Sequence, residues 1–204
     1  MPPAPYSMSF TTGTLLHRES VLLAGLYLQF NDWVAVRDRV VATNLLQART
    51  VITLKRLCRE VISRLKKLDA NELNLLAHAN HQEQACLLWL AICRRHPFIG
   101  DFAIEVLHEK FVTLRHDLTT ADFDVFFNRK SEWHPELEKI KPSTLGKLRQ
   151  VLFKIMREAD FLSPSNTINP VMPTPAFSQH LMQHRPGDAL FFPLFESDLK
   201  RMTP

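Results

Sequence analysis

Basic side chains are concentrated in two stretches of the sequence, where they could repeatedly contact phosphate groups. Between Arg49 and Lys67 there are seven basic residues and one acid, Glu60, so this stretch carries a formal charge of +6. Between Lys139 and Arg157 there are six basic residues and no acid, which again gives +6. The whole chain carries only +4, so these 12 charges leave −8 for the remainder. Contacts of this kind give affinity for nucleic acid and salt dependence, but no reading of the base sequence.

Both stretches have the periodicity of an amphipathic helix, with apolar residues on one arc and basic residues on the other. The first helix is predicted from Arg49 to Leu68 and the second from Pro142 to about Phe161. A solvated face is the ordinary alternative, but such a face usually alternates charges for i,i+4 pairing, and acids are almost missing here. The candidate phosphate-binding residues are Arg49, Lys55, Arg56, Arg59, Lys66 and Lys67 in the first helix, and Lys147, Arg149, Lys154 and Arg157 in the second.

Other chemistry is weakly represented. The sequence contains no GxSxG, GxxxxGK[ST], HExxH or CxxC motif, so we expect neither enzymatic activity nor a cofactor. His180 and His184 are four residues apart and could share a helix face as metal ligands, but no third ligand is evident, and surface histidines are the preferred interpretation. Acidic residues between Asp122 and Glu138 could serve a metal-dependent nuclease, but no spaced motif gathers them, and a solvated acidic face is preferred.

Composition predicts a mostly α protein, a compact multi-helix bundle. The chain has 204 residues, 46% of them apolar, which is enough for a sizeable core, and only five glycines. Cys58, Cys86 and Cys93 lie in apolar helical runs and are expected to be buried thiols in a reducing cytosol. No apolar run approaches the roughly 20 residues that span a bilayer, and the proline-rich start is not a signal peptide. We therefore expect a soluble, cytoplasmic protein.

Helix signals recur along most of the chain and suggest a soft boundary near residue 118. We predict a flexible lead at 1–10, an N-terminal helical subdomain at 11–118, and a C-terminal helical subdomain with an extended tail at 119–204. A helix that ends in a small hairpin near 162–172 would suit a winged-helix-like unit, although the strand pattern is weak there. Seven helices are predicted besides the two basic ones. The first begins near residues 11–13 and runs to Phe30, and the others are Trp33–Thr43, Asp69–His78, Gln82–Arg95, Asp101–Arg115, Asp122–Lys130 and Ala176–His184.

The three tryptophans receive separate interpretations. Trp89 lies in the most apolar helix and is predicted to be core. Trp33 follows an N-cap signal, and packing is preferred to base stacking. For Trp133, packing between the subdomains is preferred to base stacking.

Six stretches, in one order over roughly residues 9–195, resemble a known family. They are Ser9–Ser20, Asn44–Thr50 with its basic helix, Leu88–Arg95 (LWLAICRR), Phe102–Phe111, Glu132–Leu137 (EWHPEL) and Lys147–Ala159. Together they resemble the BrxA family of bacteriophage-exclusion (BREX) defence systems. The resemblance implies a small helical cytosolic protein with a fold related to the antitermination factor NusB. It also implies that the protein binds double-stranded DNA and acts beside the methyltransferase and ATPase components of the defence system. The second basic helix of the family often ends Glu-Ala-Gly-Leu-Leu, whereas this chain has aspartate at Asp160, which accepts a left-handed cap less readily than glycine.

The sequence thus predicts a non-enzymatic accessory protein that binds double-stranded DNA through its phosphate backbone, with weak specificity and without a membrane segment. One alternative is an assembly adaptor whose basic faces bind acidic surfaces of other BREX components. A second, by analogy with the antitermination factor, is an RNA-binding protein, although fold analogy alone is a weak warrant.

Overall fold

Helices provide nearly all the regular structure of the chain. The computed structural model describes residues 5–195 and residue 197, without the side chains of residues 182–184 and 186. The helices, in chain order, are α1 His17–Phe30, α2 Trp33–Ala42, α3 Val51–Leu65, α4 Ala70–His78, α5 His81–Arg95, α6 Pro97–Phe102, a π-helical turn Ala103–His108, α7 Glu109–Val112, α8 Thr120–Ser131, α9 Pro135–Glu138, α10 Pro142–Glu158, α11 Pro175–His184 and a 3₁₀ turn Pro186–Phe191. The mostly α prediction is confirmed.

Helix α5 lies at the centre of the molecule. Nine consecutive residues, from Ala85 to Cys93, are buried, so the helix has no solvated face along most of its length. It packs against α1, α3, α4, α6, α10 and the 3₁₀ turn. Its nearly continuous apolar sequence, which no amphipathic pattern explains, is therefore the consequence of having neighbours on every side.

Side-chain caps fix where several helices begin, as the sequence predicts. Asp32 accepts hydrogen bonds from the first backbone N–H groups of α2. Asp69 and Glu72 form a reciprocal capping box at the start of α4, and Thr119 and Asp122 form another at the start of α8. These local signals need no tertiary contact, which is why they can be identified from the sequence.

The first helix begins later than predicted, because the residues before it are held in a non-helical path. The predicted start at residues 11–13 is wrong. Leu16 takes a left-handed conformation with φ 54°. The guanidinium of Arg64 donates to the carbonyl oxygens of Thr14 at 2.6 Å and Thr12 at 3.4 Å. These contacts with α3 use backbone oxygens that a helix would require for itself.

Two other predicted boundaries are corrected. Pro97 does end α5, but it also occupies the first position of α6, where its missing N–H costs nothing. The predicted helix Asp101–Arg115 is therefore the later part of a helical run that begins at residue 97, passes through the π-helical turn and ends at Val112.

Helix α10 ends at Glu158, a little before the predicted Phe161. Asp160 takes the left-handed conformation, with φ 61°, at the position where the resemblance implies glycine. The N–H of Phe161 donates to the carbonyl of Met156 at 2.9 Å. Aspartate therefore preserves the helix-ending turn that glycine favours.

The winged-helix-like hairpin near 162–172 is absent from the described residues. Leu162 and Ile168 form one isolated antiparallel bridge, and Asp117 and Thr167 form another, with no strand around them. Asn166 has a left-handed φ of 64°, and backbone hydrogen bonds from Ser163 to Thr167 at 2.9 Å and from Asn169 to Phe161 at 3.0 Å close a tight turn. The pairing stops there and does not extend into strands.

Residues near both ends of the described part of the chain pack against the helices. Tyr6 is stacked on His134 with ring centroids 3.9 Å apart, and its hydroxyl donates to Asp101. Phe10 is fully buried, so these two residues of the predicted flexible lead are packed rather than free. At the other end, Phe192 lies in the core, as expected for a tail that docks back, although part of that tail is a 3₁₀ turn. The division into two subdomains at residue 118 stays a prediction.

Candidate nucleic-acid interface

The exposed face of α3 presents most of the cations that the sequence analysis selects. The six selected residues are all exposed, and none of them forms an ion pair within the described part of the chain; they are Arg49, Lys55, Arg56, Arg59, Lys66 and Lys67. Arg49 lies just before the helix, because Thr50 caps α3 and Val51 begins it. The opposite arc of the helix, which includes Leu54, Cys58 and Leu65, is buried. The predicted partition into a packed face and a basic face is present in the structure.

The single acid of this stretch is withdrawn from the surface. Glu60 accepts a hydrogen bond of 2.8 Å from Nε of Arg64, and the two side chains are only 12% and 2% exposed. Because one negative and one positive charge are removed together, the exposed face retains six cations without an acid. A buried pair of this kind is retained only when its remaining polar groups are satisfied, and the carbonyl oxygens of residues 12 and 14 satisfy the guanidinium.

Burial also governs the titration of the groups beside this pair. His96 is fully buried, with Nε2 3.5 Å from Glu60 Oε1. Burial lowers the pKa of His96, and the nearby Glu60 carboxylate only partly opposes that effect. Burial acts to raise the pKa of Glu60, but His96 and Arg64 outweigh it and hold the pKa of this carboxyl below its ordinary value. At neutral pH the cluster therefore contains a charged Glu60–Arg64 pair and a neutral imidazole.

A groove of about 800 Å³ runs between α2 and α3. Its lining combines apolar side chains from both helices with four basic residues and one acid. The lining residues are Trp33, Val34, Arg37, Asp38, Val41, Ala42, Lys55, Arg59, Ile62, Ser63 and Lys66. The acid, Asp38, pairs with its neighbour Arg37 at 2.8 Å. The groove thus has an apolar floor and a cationic rim.

Sequence reasoning does not identify the α2 side of this groove. Trp33 is predicted to be a packing residue, and its ring does stack on Tyr27, with centroids 4.1 Å apart and an interplanar angle of 15°. Val34, however, is 53% exposed. In the sequence, this side of the groove is indicated only by apolar residues at positions 34 and 41, which flank the charged Arg37–Asp38 pair. The same pattern suits a short core helix equally well.

Three of the four candidate cations on the second basic helix, α10, have partners within the molecule, and two of those partners are acids. Arg149 donates to both carboxylate oxygens of Asp124 at 2.7 and 2.6 Å. Lys154 lies 3.7 Å from Glu158. Arg157 donates to Asn166 at 2.6 Å. Of the four candidates on this helix, only Lys147 has no ion pair or hydrogen bond within the described residues. Tertiary structure, rather than sequence spacing, brings Asp124 to Arg149.

His180, one of the two histidines considered as metal ligands, is buried beside two carboxylates, so its preferred interpretation as a surface histidine is wrong. Ligand atoms of Asp69, Glu72 and His180 lie within 4.8 Å of one another, but Arg94 donates to both oxygens of Glu72 at 2.6 and 2.7 Å. The guanidinium already compensates this fully buried carboxylate, so the cluster is an ion-pair network that joins α11 to α4 and α5. The side chain of His184 lies outside the described residues.

The acidic stretch contributes to the structure of α8 and its surroundings. Asp122 caps the helix and lies 2.9 Å from Nζ of Lys110, and Glu136 accepts a hydrogen bond from the N–H of Tyr6 at 2.7 Å. A gathered set of carboxylates of the nuclease type is not formed by these residues.

The remaining tryptophans have clear environments. Trp89 is fully buried, as predicted, and its indole N–H donates to the carbonyl of Phe191 at 2.7 Å. Trp133 is 72% exposed, so the predicted packing between subdomains is wrong. It lies in the turn between α8 and α9.

The cysteines and the helices agree with the expectations for a packed protein. Cys58, Cys86 and Cys93 are free and buried. Burial, with a smaller effect from Glu83, raises the pKa of Cys86 to about 12, which leaves the thiol unreactive. No helix in the described part of the chain combines the length and apolar composition that crossing a lipid bilayer requires.

Fold and surface together define an all-helical protein with an unpaired cationic helix face beside an apolar groove. Comparison with known proteins identifies its family. The family model for BrxA matches residues 4–185, so the chain belongs to the BrxA family. The resemblance seen in the sequence is confirmed.

Individual relatives support this assignment. A BREX protein BrxA from Escherichia coli O9:H4 (strain HS) is 29% identical over 150 residues, which cover 74% of this chain and 70% of that protein. A BREX protein BrxA from Bacillus cereus (strain H3081.97) is 29% identical over 127 residues, 62% of this chain and 64% of that one. The crystal structure of an uncharacterised protein from Magnetospirillum magneticum superposes with a TM-score of 0.76 at 19% identity, over 93% of this chain and 98% of that chain. That similarity shows the fold alone. The helical architecture is consistent with the implied relation to NusB, which these comparisons do not test.

Proposed function

We propose that this protein is a non-enzymatic accessory component of a BREX phage-defence system and binds double-stranded DNA through its phosphate backbone. The BREX role is supported by membership of the BrxA family and by the names of its relatives. Other BREX components are the expected protein partners, and the cytoplasm, where DNA is present, is the expected location.

One observation supports DNA binding above the others: six exposed cations on and beside α3 face solvent without an acid among them. A face that served only for solubility would be expected to mix charges. The spacing of the cations along the helix allows several phosphates to be contacted together, with the release of condensed counterions as the source of affinity. The α10 residues Lys147, Arg149, Lys154 and Arg157 are proposed as a weaker second surface, because three of them already have partners within the molecule.

The proposal is tested by titrating the protein against a short random DNA duplex over a series of salt concentrations. If all six α3 cations contact phosphate, log K should fall with log salt with a slope of about −5. Reversal of two of them, Arg56→Glu with Lys67→Glu, should lower the affinity at least about tenfold and reduce the slope by about 2. Arg18→Glu with Arg115→Glu is the matched control, because it reverses two exposed cations outside both basic stretches.

Three results would count against the proposal. Undetectable binding at low salt would exclude DNA as the ligand. If the α3 variant and the control lost DNA affinity equally, the loss would follow from net charge alone and not from the α3 surface. Preferential binding of a single-stranded or structured RNA competitor would favour the RNA alternative, since RNA recognition targets such regions.

A further inference from the structure

The groove between α2 and α3 has a floor that phosphate binding does not explain. A DNA backbone presents charged oxygens and sugars, and a surface that only binds phosphates gains nothing from Val34, Val41 and Ile62 below its cations. Val34 is 53% exposed, so apolar surface is left open to water. Exposed apolar surface rimmed by charge commonly marks a protein interaction site.

The α3 cations divide into two sets with respect to this groove. Lys55, Arg59 and Lys66 line it, and at 100° per residue they fall within an arc of about 40° on α3. Arg56 and Lys67 lie about 60° or more further round the helix and do not line the groove. One set of cations therefore belongs to both the groove and the proposed DNA surface, and the other belongs to the DNA surface alone.

The groove is also the right length for a short helix. Apolar lining extends from Val34 near the start of α2 to Ala42 at its end, a distance of about 12 Å for eight residues of helix. A helix laid in this groove could place apolar residues at i, i+3, i+4 and i+7, which span about 10 Å. Acidic residues on the edges of such a helix would face Lys55, Arg59 and Lys66, the three rim cations that form no ion pair within the described residues.

We propose that this groove is the docking site for an acidic amphipathic helix of a partner protein. The helix places its apolar face on the groove floor and its carboxylates against Lys55, Arg59 and Lys66. Because these cations also belong to the proposed DNA surface, docking and DNA binding exclude each other. The competition rests on the proposed function, whereas docking itself does not.

The probe is a synthetic helical peptide of about 16 residues, with leucine at the i, i+3, i+4 and i+7 positions and glutamate at most others. A peptide of the same composition in scrambled order has the same charge but no apolar face. Fluorescence anisotropy should show at least tenfold tighter binding of the amphipathic peptide, which should also displace a labelled DNA duplex.

Variants separate the two ligands. Val34→Gln with Ala42→Gln changes the groove floor without changing charge, and both positions are exposed enough to accept glutamine. This variant should bind the peptide at least tenfold more weakly and DNA within twofold of wild type. Arg56→Glu with Lys67→Glu should have the reverse preference, and circular dichroism should confirm that both variants are folded.

Each other outcome overturns the proposal in a different way. Equal binding of the two peptides, or none, would mean that the groove does not recognise an apolar helix face. If Val34→Gln with Ala42→Gln abolished DNA binding, the groove floor would be part of the nucleic-acid surface. Concentration-dependent dimers in light scattering, abolished by the same variant, would assign the groove to a second copy of the chain. If the protein bound the peptide but not DNA, the docking site would stand and the proposed competition with DNA would be wrong.

Discussion

At the scale of single residues, burial determines which charges are available. Arg64 and Arg59 are both arginines of the same helix, five positions apart, yet Arg64 is 2% exposed and paired with Glu60, whereas Arg59 lines an open groove. A count of basic residues treats them as equal. Their different roles follow from the direction of each side chain relative to the segment at residues 12–15, which packs against one edge of the helix only.

His96 should make the stability of the protein fall in mild acid. Its pKa is lowered in the folded state by burial, whereas an unfolded chain has the ordinary value of about 6.5. Below that pH the unfolded state binds a proton that the folded state does not, so the free energy of unfolding decreases as the pH falls from about 7 to about 5. Urea unfolding over this range measures the effect.

His96→Gln should flatten this dependence, although His17, whose pKa burial also lowers, will retain part of it. The exposed histidine variant His78→Gln is the control and should follow the wild-type curve. A His96→Gln protein with the full wild-type pH dependence would show that the buried imidazole is not the group responsible.

At the scale of elements, α3 is both a structural wall and a candidate binding surface, and the two roles lie on different arcs. Its apolar arc packs against α1, α2 and α5. Its buried pair holds the residues before α1 in place. Its exposed arc presents the cations. Variants on these arcs should therefore affect different measurable quantities.

Arg64→Leu should destabilise the fold by about 3–5 kcal/mol, because it leaves Glu60 as an unpaired, largely buried carboxylate and removes two hydrogen bonds to the backbone of residues 12–14. Arg59→Leu, the matched change on the exposed arc, should leave the unfolding free energy close to wild type and weaken DNA binding instead. Urea denaturation and DNA titration of the two variants test this. Equal stabilities would contradict the structural role of the Glu60–Arg64 pair.

At the scale of the whole molecule, one arginine of the central helix links the C-terminal segment to α4. Arg94 of α5 donates to Glu72 of α4 at 2.6 and 2.7 Å and to Asp188 in the 3₁₀ turn at 2.9 and 2.7 Å. These contacts join α4, α5 and the 3₁₀ turn. A cut between the predicted subdomains would separate Arg94 from Asp188.

Arg94→Met should cost about 3–5 kcal/mol of unfolding free energy, since it leaves the fully buried Glu72 without its cation. Adding Glu72→Gln should recover part of the loss, because the unpaired charge is removed. Thermal and urea unfolding of the single and double variants measure this. If the double variant lost as much stability as the two single variants together, the two residues would not act as a pair.

Features that depend on neighbouring residues in the chain follow from the amino-acid sequence without tertiary information. Helix periodicity, the caps at Asp32, Asp69 and Thr119, and the basic arc of α3 are local properties, and each can be recognised in the linear sequence. The resemblance to the BrxA family is likewise carried by linear stretches. The mostly α class, the buried α5 and the three buried cysteines follow from composition and apolar pattern.

Which charges meet and which surfaces stay open depend instead on the packing of the helices. No local rule places Asp124 beside Arg149, or Glu72 between Arg94 and the C-terminal segment, because these partners are far apart in the sequence. The same holds for the groove, whose floor comes from both helices and whose unpaired cations come from α3 alone. The exposure of Trp133 and the late start of α1 escape sequence-based prediction for the same reason: propensity describes a segment on its own, whereas burial is a property of what the rest of the chain places against it.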